Sequence, residues 1–249
     1  QDLIFGLHSI AEAIKNSKRV ELQLFCTDES KKDLIKLHFK GQKLPEKVQV
    51  KVLSLHKLKE EGKRYLREFS LKEQRVPSNI FLIAGGFDGM SISNLYEKIN
   101  KGETVKLLAL DQVTDVHNLG AISRTACFYG VDVLIYGRKS KDPLSPGFFR
   151  ISSGAYEHLP MIQTSNLGKV LTKLNDLGVS CVGLAEEASS KEWTPKDNSI
   201  CLVLGAEETG LSHAIRRVLS DFVALEAKGE IKSLNVSVAA ALAMEKFLV

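Results

Sequence analysis

The chain has 249 residues, 44% of them hydrophobic and 26% charged, with a formal net charge of +4 at pH 7. That composition is ordinary for a globular protein; no stretch approaches the 18 consecutive apolar residues that a membrane span needs, and nothing at the start has the pattern of a secretory signal. The basic residues are unevenly spread: residues 1–104 carry 19 Lys and Arg against 14 Asp and Glu, and residues 105–249 carry 15 against 16. The excess in the first part is either a solvated lysine-rich surface or a polyanion-binding module beside a near-neutral one.

Taken in chain order, residues 3 to about 75 predict a small α/β unit. Ile4 to Ile14 has helical spacing, Val20 to Thr27 alternates as a strand does, and Lys31 to Phe39 is an amphipathic lysine-rich helix. Val48 to Leu53 alternates again, Leu55 to Phe69 returns to helical spacing, and Ile80 to Ala84 closes the unit as a strand. The glycine-rich run 85–91 predicts a linker, with a short helix from Asn94 to Asn100. From residue 104 short apolar runs recur at 105–110, 131–136, 180–185, 200–205 and 222–227, with helical patterns between them. Strands alternating with helices predict a mainly parallel sheet covered on both faces. Ligands of such sheets sit in the loops that follow the carboxyl ends of strands.

Three of those loops stand out. In DQVTDVHNLGAISR, 111–124, Asn118 is placed to cap a helix and Gly120 to let another backbone approach. Leu119, Ile122, Ala126 and Tyr129 share one helical face and Arg124 points away, so periodicity alone leaves Arg124 a solvated residue. In LVLGAEETGLS, 202–212, a strand runs into Gly205, followed by Glu207 and Gly210; the wording is neither G-x-G-x-x-G nor a P-loop. In IKSLNVSVAAALAMEKF, 231–247, Ser233 or Asn235 can cap a helix whose alanines predict close packing. Four dispersed cysteines, with no C-x-x-C, read as reduced core residues. Six histidines without H-x-x-x-H spacing leave no metal site expected.

In this order the three loops resemble the motifs of the SpoU (TrmH) family of ribose 2′-O-methyltransferases, in the SPOUT superfamily. The resemblance covers about residues 104–249. Residues 1–87, with GLHSIAEAI near the start, resemble more loosely the L30e-like RNA-binding domain of ribosomal RNA members. It implies an L30e-like domain over 1–87, a linker over 88–103 and a catalytic domain over 104–249. The implied α/β fold carries a deep trefoil knot, binds S-adenosylmethionine there, uses no metal and forms a homodimer. Carried over by position, Arg124, Asn118, Glu207, Ser233 and Asn235 match the polar active-site residues. Gly205, Leu225 and Leu234 match the cofactor pocket, with Leu184 and Ala185 as further candidates.

The family usually has a proline where this chain has Val116, often a proline near Glu226, and commonly a serine at Lys232. The expected activity is methylation of large-subunit ribosomal RNA, guanosine favoured, in the cytoplasm, or in an organelle if a transit peptide has been removed. Transfer RNA methylation and a non-catalytic role in ribosome assembly are the alternatives. Lys15, Lys18, Arg19, Lys31 and Lys32 are the candidate RNA-binding surface.

Overall fold

A computed structural model describes residues 1–71, 76–137, 144–231 and 233–248. It divides into two compact units, residues 1–88 with 142–157, and residues 89–141 with 158–249.

The first unit holds strands β1 (Asp2–Phe5), β2 (Leu22–Cys26), β3 (Val48–Val52) and β4 (Ile80–Ala84), and helices α1 (Leu7–Lys15), α2 (Asp28–His38) and α3 (Leu55–Glu68). Its sheet order is β1-β4-β2-β3. All five residues of β4 are buried, so this central strand is covered on both faces. Phe25 stacks on Phe81 with ring centroids 4.7 Å apart, among Leu3, Phe5, Leu58 and Leu66. The helix expected over 4–14 proves to be a strand followed by a helix. Gly6 breaks the two apart at φ 93, a left-handed value that a side chain rarely adopts.

The segment 142–157 completes this unit with helix α6 (Pro146–Ser152), which packs on β1 and α1. Ser9 donates its hydroxyl hydrogen bond to the Phe149 carbonyl. Arg19 is held between Glu157, at 2.8 Å, and Asp2; it also donates to the Gly85 carbonyl at 2.9 Å. Its guanidinium carbon lies 4.6 Å from the centroid of Phe87. Burial alone lowers the pKa of this guanidinium, but the Glu157 and Asp2 carboxylates more than offset that, so it stays charged.

The second unit is a six-stranded parallel sheet of order β10-β8-β9-β5-β6-β7. Its strands are β5 (Lys106–Leu110), β6 (Val133–Gly137), β7 (Met161–Thr164), β8 (Val179–Leu184), β9 (Ser199–Leu204) and β10 (Asp221–Val223). Its helices are α4 (Ile92–Asn100), α5 (Val116–Phe128), α7 (Leu167–Asp176), α8 (His213–Arg216) and α9 (Val236–Phe247). The parallel sheet expected from the recurring apolar runs is present. One core cluster gathers Leu107, Ala109, Ile135, Cys181 and Val203 from the strands, and Leu95, Leu171 and Leu174 from α4 and α7. Helices α5 and α9 pack on one another. No described helix is long and apolar enough to cross a membrane.

Candidate active site

The central strands β8, β9 and β5 are parallel, so their following loops emerge on one side of the sheet. Asp111, at the end of β5, ties two of these loops together. It is 7% exposed, and its carboxylate accepts the Ser212 N–H at 2.7 Å.

After β9 the chain folds sharply back on itself. Ala206 and Gly210 exchange two backbone hydrogen bonds, at 3.1 and 2.8 Å, and Gly210 has φ +62. Gly205 sits inside this pinch. A Cβ there would lie 2.1 Å from the Gly210 carbonyl carbon and 2.3 Å from the Leu211 nitrogen. Only glycine allows that backbone approach. Beneath the loop is a pocket of about 260 Å³, lined by Leu184, Ala185, Leu204, Gly205, Leu225, Leu234 and Val236 among others. Gly205, Leu225 and Leu234, carried over by position, and the further candidates Leu184 and Ala185 therefore line one cavity. Glu186, Glu187, Glu207, Glu208, Thr209 and Arg216 add polar side chains to its lining. Arg216 pairs with Glu187, whose carboxyl is held below the usual range first by its own backbone N–H and then by Arg216.

Three of the polar candidates meet beside this pocket. The Asn235 side-chain amide donates to Asn118 Oδ1 at 3.1 Å and to Glu207 Oε2 at 3.0 Å. Asn118 Nδ2 approaches the same Glu207 oxygen at 3.5 Å. Asn235 caps α9, its Oδ1 accepting the Ser237 N–H at 3.0 Å. Its amide group is thus fixed at both ends. Arg124 and Ser233 lie outside this network. Both are exposed, Arg124 on α5 and Ser233 two residues before the α9 cap. Lys232 lies outside the described residues.

One local reading is corrected. Asn118 does not cap α5. Asp115 does, accepting the N–H groups of His117 at 2.7 Å and Asn118 at 2.9 Å. The helix therefore starts earlier and leaves the Asn118 side chain to reach Glu207 and Asn235. Val116 is the first helical residue, where a proline is well tolerated because that N–H has no intrahelical partner. Asp115 already has the extended backbone, φ −71 and ψ 122, that precedes prolines. The Val116→Pro variant should gain about 0.4–1 kcal/mol by restricting the unfolded chain. An increase in the urea midpoint reads this out; a decrease would mean that the loop depends on the Val116 N–H.

The basic candidates separate. Lys15, Lys18 and Lys32 are exposed and Lys31 is half-buried. Lys15 pairs with Glu12 at 2.8 Å and Lys32 with Asp28 at 2.7 Å. Arg19 does not belong with them. It is 1% exposed and enclosed by Glu157 and Asp2, so its charge serves the interior rather than a surface. Charge counting alone cannot tell these cases apart. Asp111 and Arg216, unmarked by the motifs, are found only through their contacts. Among the described residues, no three or more His, Cys, Asp or Glu side chains gather as metal ligands.

Comparison with known proteins adds a lineage to this geometry. The profile described as the SpoU rRNA Methylase family matches residues 106–245. A 23S rRNA (guanosine-2′-O-)-methyltransferase RlmB of Vibrio cholerae is 35% identical over 148 residues, 59% of this chain and 60% of that protein. A Yersinia pestis protein of the same name is 38% identical over 138 residues, 55% of this chain and 56% of its own. The chain thus spans less than two thirds of the length of these curated relatives. Among solved structures, the SpoU methyltransferase AviRb of Streptomyces viridochromogenes, in complex with AdoMet, superposes with TM-score 0.73 at 19% identity. That match covers 98% of this chain and 88% of AviRb. An AdoMet-bound rRNA methyltransferase of Sinorhizobium meliloti gives TM-score 0.69 at 19% identity, over 100% of this chain and 88% of that one. At these identities the two structures speak for the fold.

Proposed function

Because the chain belongs to the SpoU rRNA methylase family, we propose that it transfers a methyl group from S-adenosylmethionine to a ribose 2′-hydroxyl of RNA, with guanosine in large-subunit ribosomal RNA as the favoured target. The observation that carries this reading is the meeting of Asn118, Glu207 and Asn235, from three separate loops, beside the pocket under Gly205.

The pocket suits that cofactor. Leu184, Leu225, Leu234 and Val236 offer an apolar lining for a purine ring, and the pinched backbone at Gly205 leaves room for close backbone contact. The glutamates on the lining suit a ligand bearing sulfonium and ammonium charges. When bound, the cofactor supplies an activated methyl whose sulfur leaves as a neutral thioether. The protein's work is to align the hydroxyl oxygen for in-line attack and to stabilise charge as the proton departs. Asn118 and Asn235 hold the Glu207 carboxylate in place, and Glu207 lines the cavity where the cofactor would lie. Arg124 is a poor base, since an arginine side chain is not deprotonated in proteins. Its contribution is electrostatic: beside an RNA phosphate it stabilises the developing alkoxide.

Three further elements belong to this reading. Lys15, Lys18, Lys31 and Lys32 contact the RNA backbone from the first unit. A homodimer forms through α5 and α9; its support is an unusual apolar surface, with Phe128 82%, Val238 48% and Leu242 49% exposed. The chain is knotted. In support, Lys246 on α9 donates to the Lys191 carbonyl, and Ala224 N–H donates to the Ser190 carbonyl at 2.9 Å. The loop after β8 is thereby fastened to both segments that a knot would thread.

Incubation with ribosomal RNA and tritiated S-adenosylmethionine tests the activity. Label should appear on ribose, and Arg124→Ala should lower the rate about 10²-fold or more, the typical loss on removing a transition-state charge stabiliser. No transfer to ribosomal RNA but transfer to transfer RNA would favour the alternative substrate. No transfer to either, with Arg124→Ala indistinguishable from the parent, overturns the enzymatic reading. In the same preparations, Phe128→Glu should sediment as a monomer, and Lys15→Glu/Lys18→Glu should weaken RNA binding with cofactor binding unchanged.

A further inference from the structure

Among the described residues, the charged lining of the pocket is acidic except at one place. Glu186, Glu187, Glu207 and Glu208 face it, and among its described lining residues Arg216 alone is a cation. Arg216 reaches the pocket from the end of α8 and is held in two ways. Its Nε donates to the Leu211 carbonyl at 3.0 Å, and its Nη1 pairs with Glu187. The two partners differ in kind. Leu211 is 3% exposed and belongs to the wall of the loop, so that bond fixes the guanidinium in place. The Glu187 side chain is 62% exposed, so that bond can be exchanged. An arginine has five N–H donors, of which these two bonds use two. Gly210 leaves its side open: the position of a Cβ there would be 3.6 Å from Arg216 Nη2, with no side chain to shield it.

This arrangement has a consequence for any ligand ending in an amino acid. Ammonium and sulfonium groups are welcome among four glutamates, but a carboxylate is repelled by them. Among the described lining residues the cation that can receive it is Arg216, and a guanidinium matches a carboxylate in a paired, fork-like contact. We infer that Arg216 anchors the carboxylate of the cofactor's amino-acid end, and that Glu187 is a built-in competitor that gives up Arg216 when the cofactor binds. This rests on the proposed use of S-adenosylmethionine.

Calorimetry on the whole chain tests it with two ligands. S-adenosylhomocysteine carries the amino-acid end; 5′-methylthioadenosine keeps the nucleoside and the thioether but lacks it. The parent protein should bind S-adenosylhomocysteine more tightly. Arg216→Gln should weaken that binding about 10- to 100-fold, as for a lost charge-assisted bond, and leave 5′-methylthioadenosine unchanged. Glu187→Gln should act in the opposite direction, tightening S-adenosylhomocysteine about two- to fivefold, as befits loss of an exposed competing pair. Equal weakening of both ligands by Arg216→Gln would reduce Arg216 to a brace for the Leu211 loop. Unchanged or weaker binding in Glu187→Gln would remove the competitor, and this arm stands even if Arg216→Gln does not fold. If the parent binds neither ligand, the cofactor reading fails first; if it binds both and the variants do not discriminate, only the anchor fails.

Discussion

Replacing Arg19 with methionine should cost the first unit about 3–5 kcal/mol, the usual penalty for breaking a buried ion pair from one side. The Arg19 side chain is fully buried and that of Glu157 is 2% exposed. Without the guanidinium, the Glu157 carboxylate keeps Asn16 Nδ2 at 2.8 Å as a partner but loses its counter-charge. The Gly85 carbonyl also loses a donor at 2.9 Å. Native-state hydrogen exchange at the amides of β1 and β4 reads the loss as lower opening free energies. Arg19→Met with Glu157→Met should recover part of it, because the buried Glu157 charge is removed as well and only Asp2, whose side chain is 17% exposed, is left without its guanidinium partner. A cost below about 1 kcal/mol for the single variant would place the pair among weak surface bridges, contrary to its burial.

The second large effect is expected at Gly205. Any Cβ at this position meets backbone atoms at 2.1 to 2.3 Å, and backbone cannot swing aside as a side-chain tip can. Gly205→Ala must pry Gly210 and Leu211 away from the end of β9, at a strain of about 1–3 kcal/mol. Felt in full by the bound state, that strain weakens S-adenosylhomocysteine roughly 5- to 150-fold. Gly210→Ala provides the contrast. Its added methyl would meet only Arg216 Nη2, at 3.6 Å, so its cost is confined to the left-handed backbone. Titration of both variants distinguishes them: Gly205→Ala should bind markedly less well than Gly210→Ala. Equal affinity would mean that the pinched loop does not shape the pocket.

How legible these features are in the sequence depends on the distance over which each is decided. Strands β5, β6, β8 and β9 are buried on both faces and read as continuous apolar runs. Strand β7 escapes notice because MIQT has one buried residue at a sheet edge. Strand β1 is hidden because its apolar residues run on into helical spacing, and Gly6 alone marks the change. At the site, Asn118 and Glu207 are 89 residues apart, and Glu207 and Asn235 are 28 apart. No periodicity links such positions; they are found together only because the loops resemble three family motifs in order. Arg19 shows the converse. Its neighbours in sequence suggest a basic surface, but its partner Glu157, 138 residues away, makes it part of the interior. Asp111 escaped for the same reason, since its meaning lies in the Ser212 N–H, 101 residues on.

The interleaving of the two units also sets an order of assembly on the ribosome. The unit that begins the chain is completed by α6 and by Glu157, which are synthesised after β5, α5 and β6 of the other unit. A nascent chain therefore holds Arg19 with half its carboxylates, and Ser9 without the Phe149 carbonyl, until residue 157 has left the exit tunnel. Cutting the gene at residue 88 would make that interim state permanent. The first fragment would lack the closing helix, and the second would carry Phe148 and Phe149, both buried in the intact chain, as an adhesive surface. Modular exchange of the amino-terminal unit between relatives would then require two crossovers rather than one, with α6 travelling alongside the strand it covers.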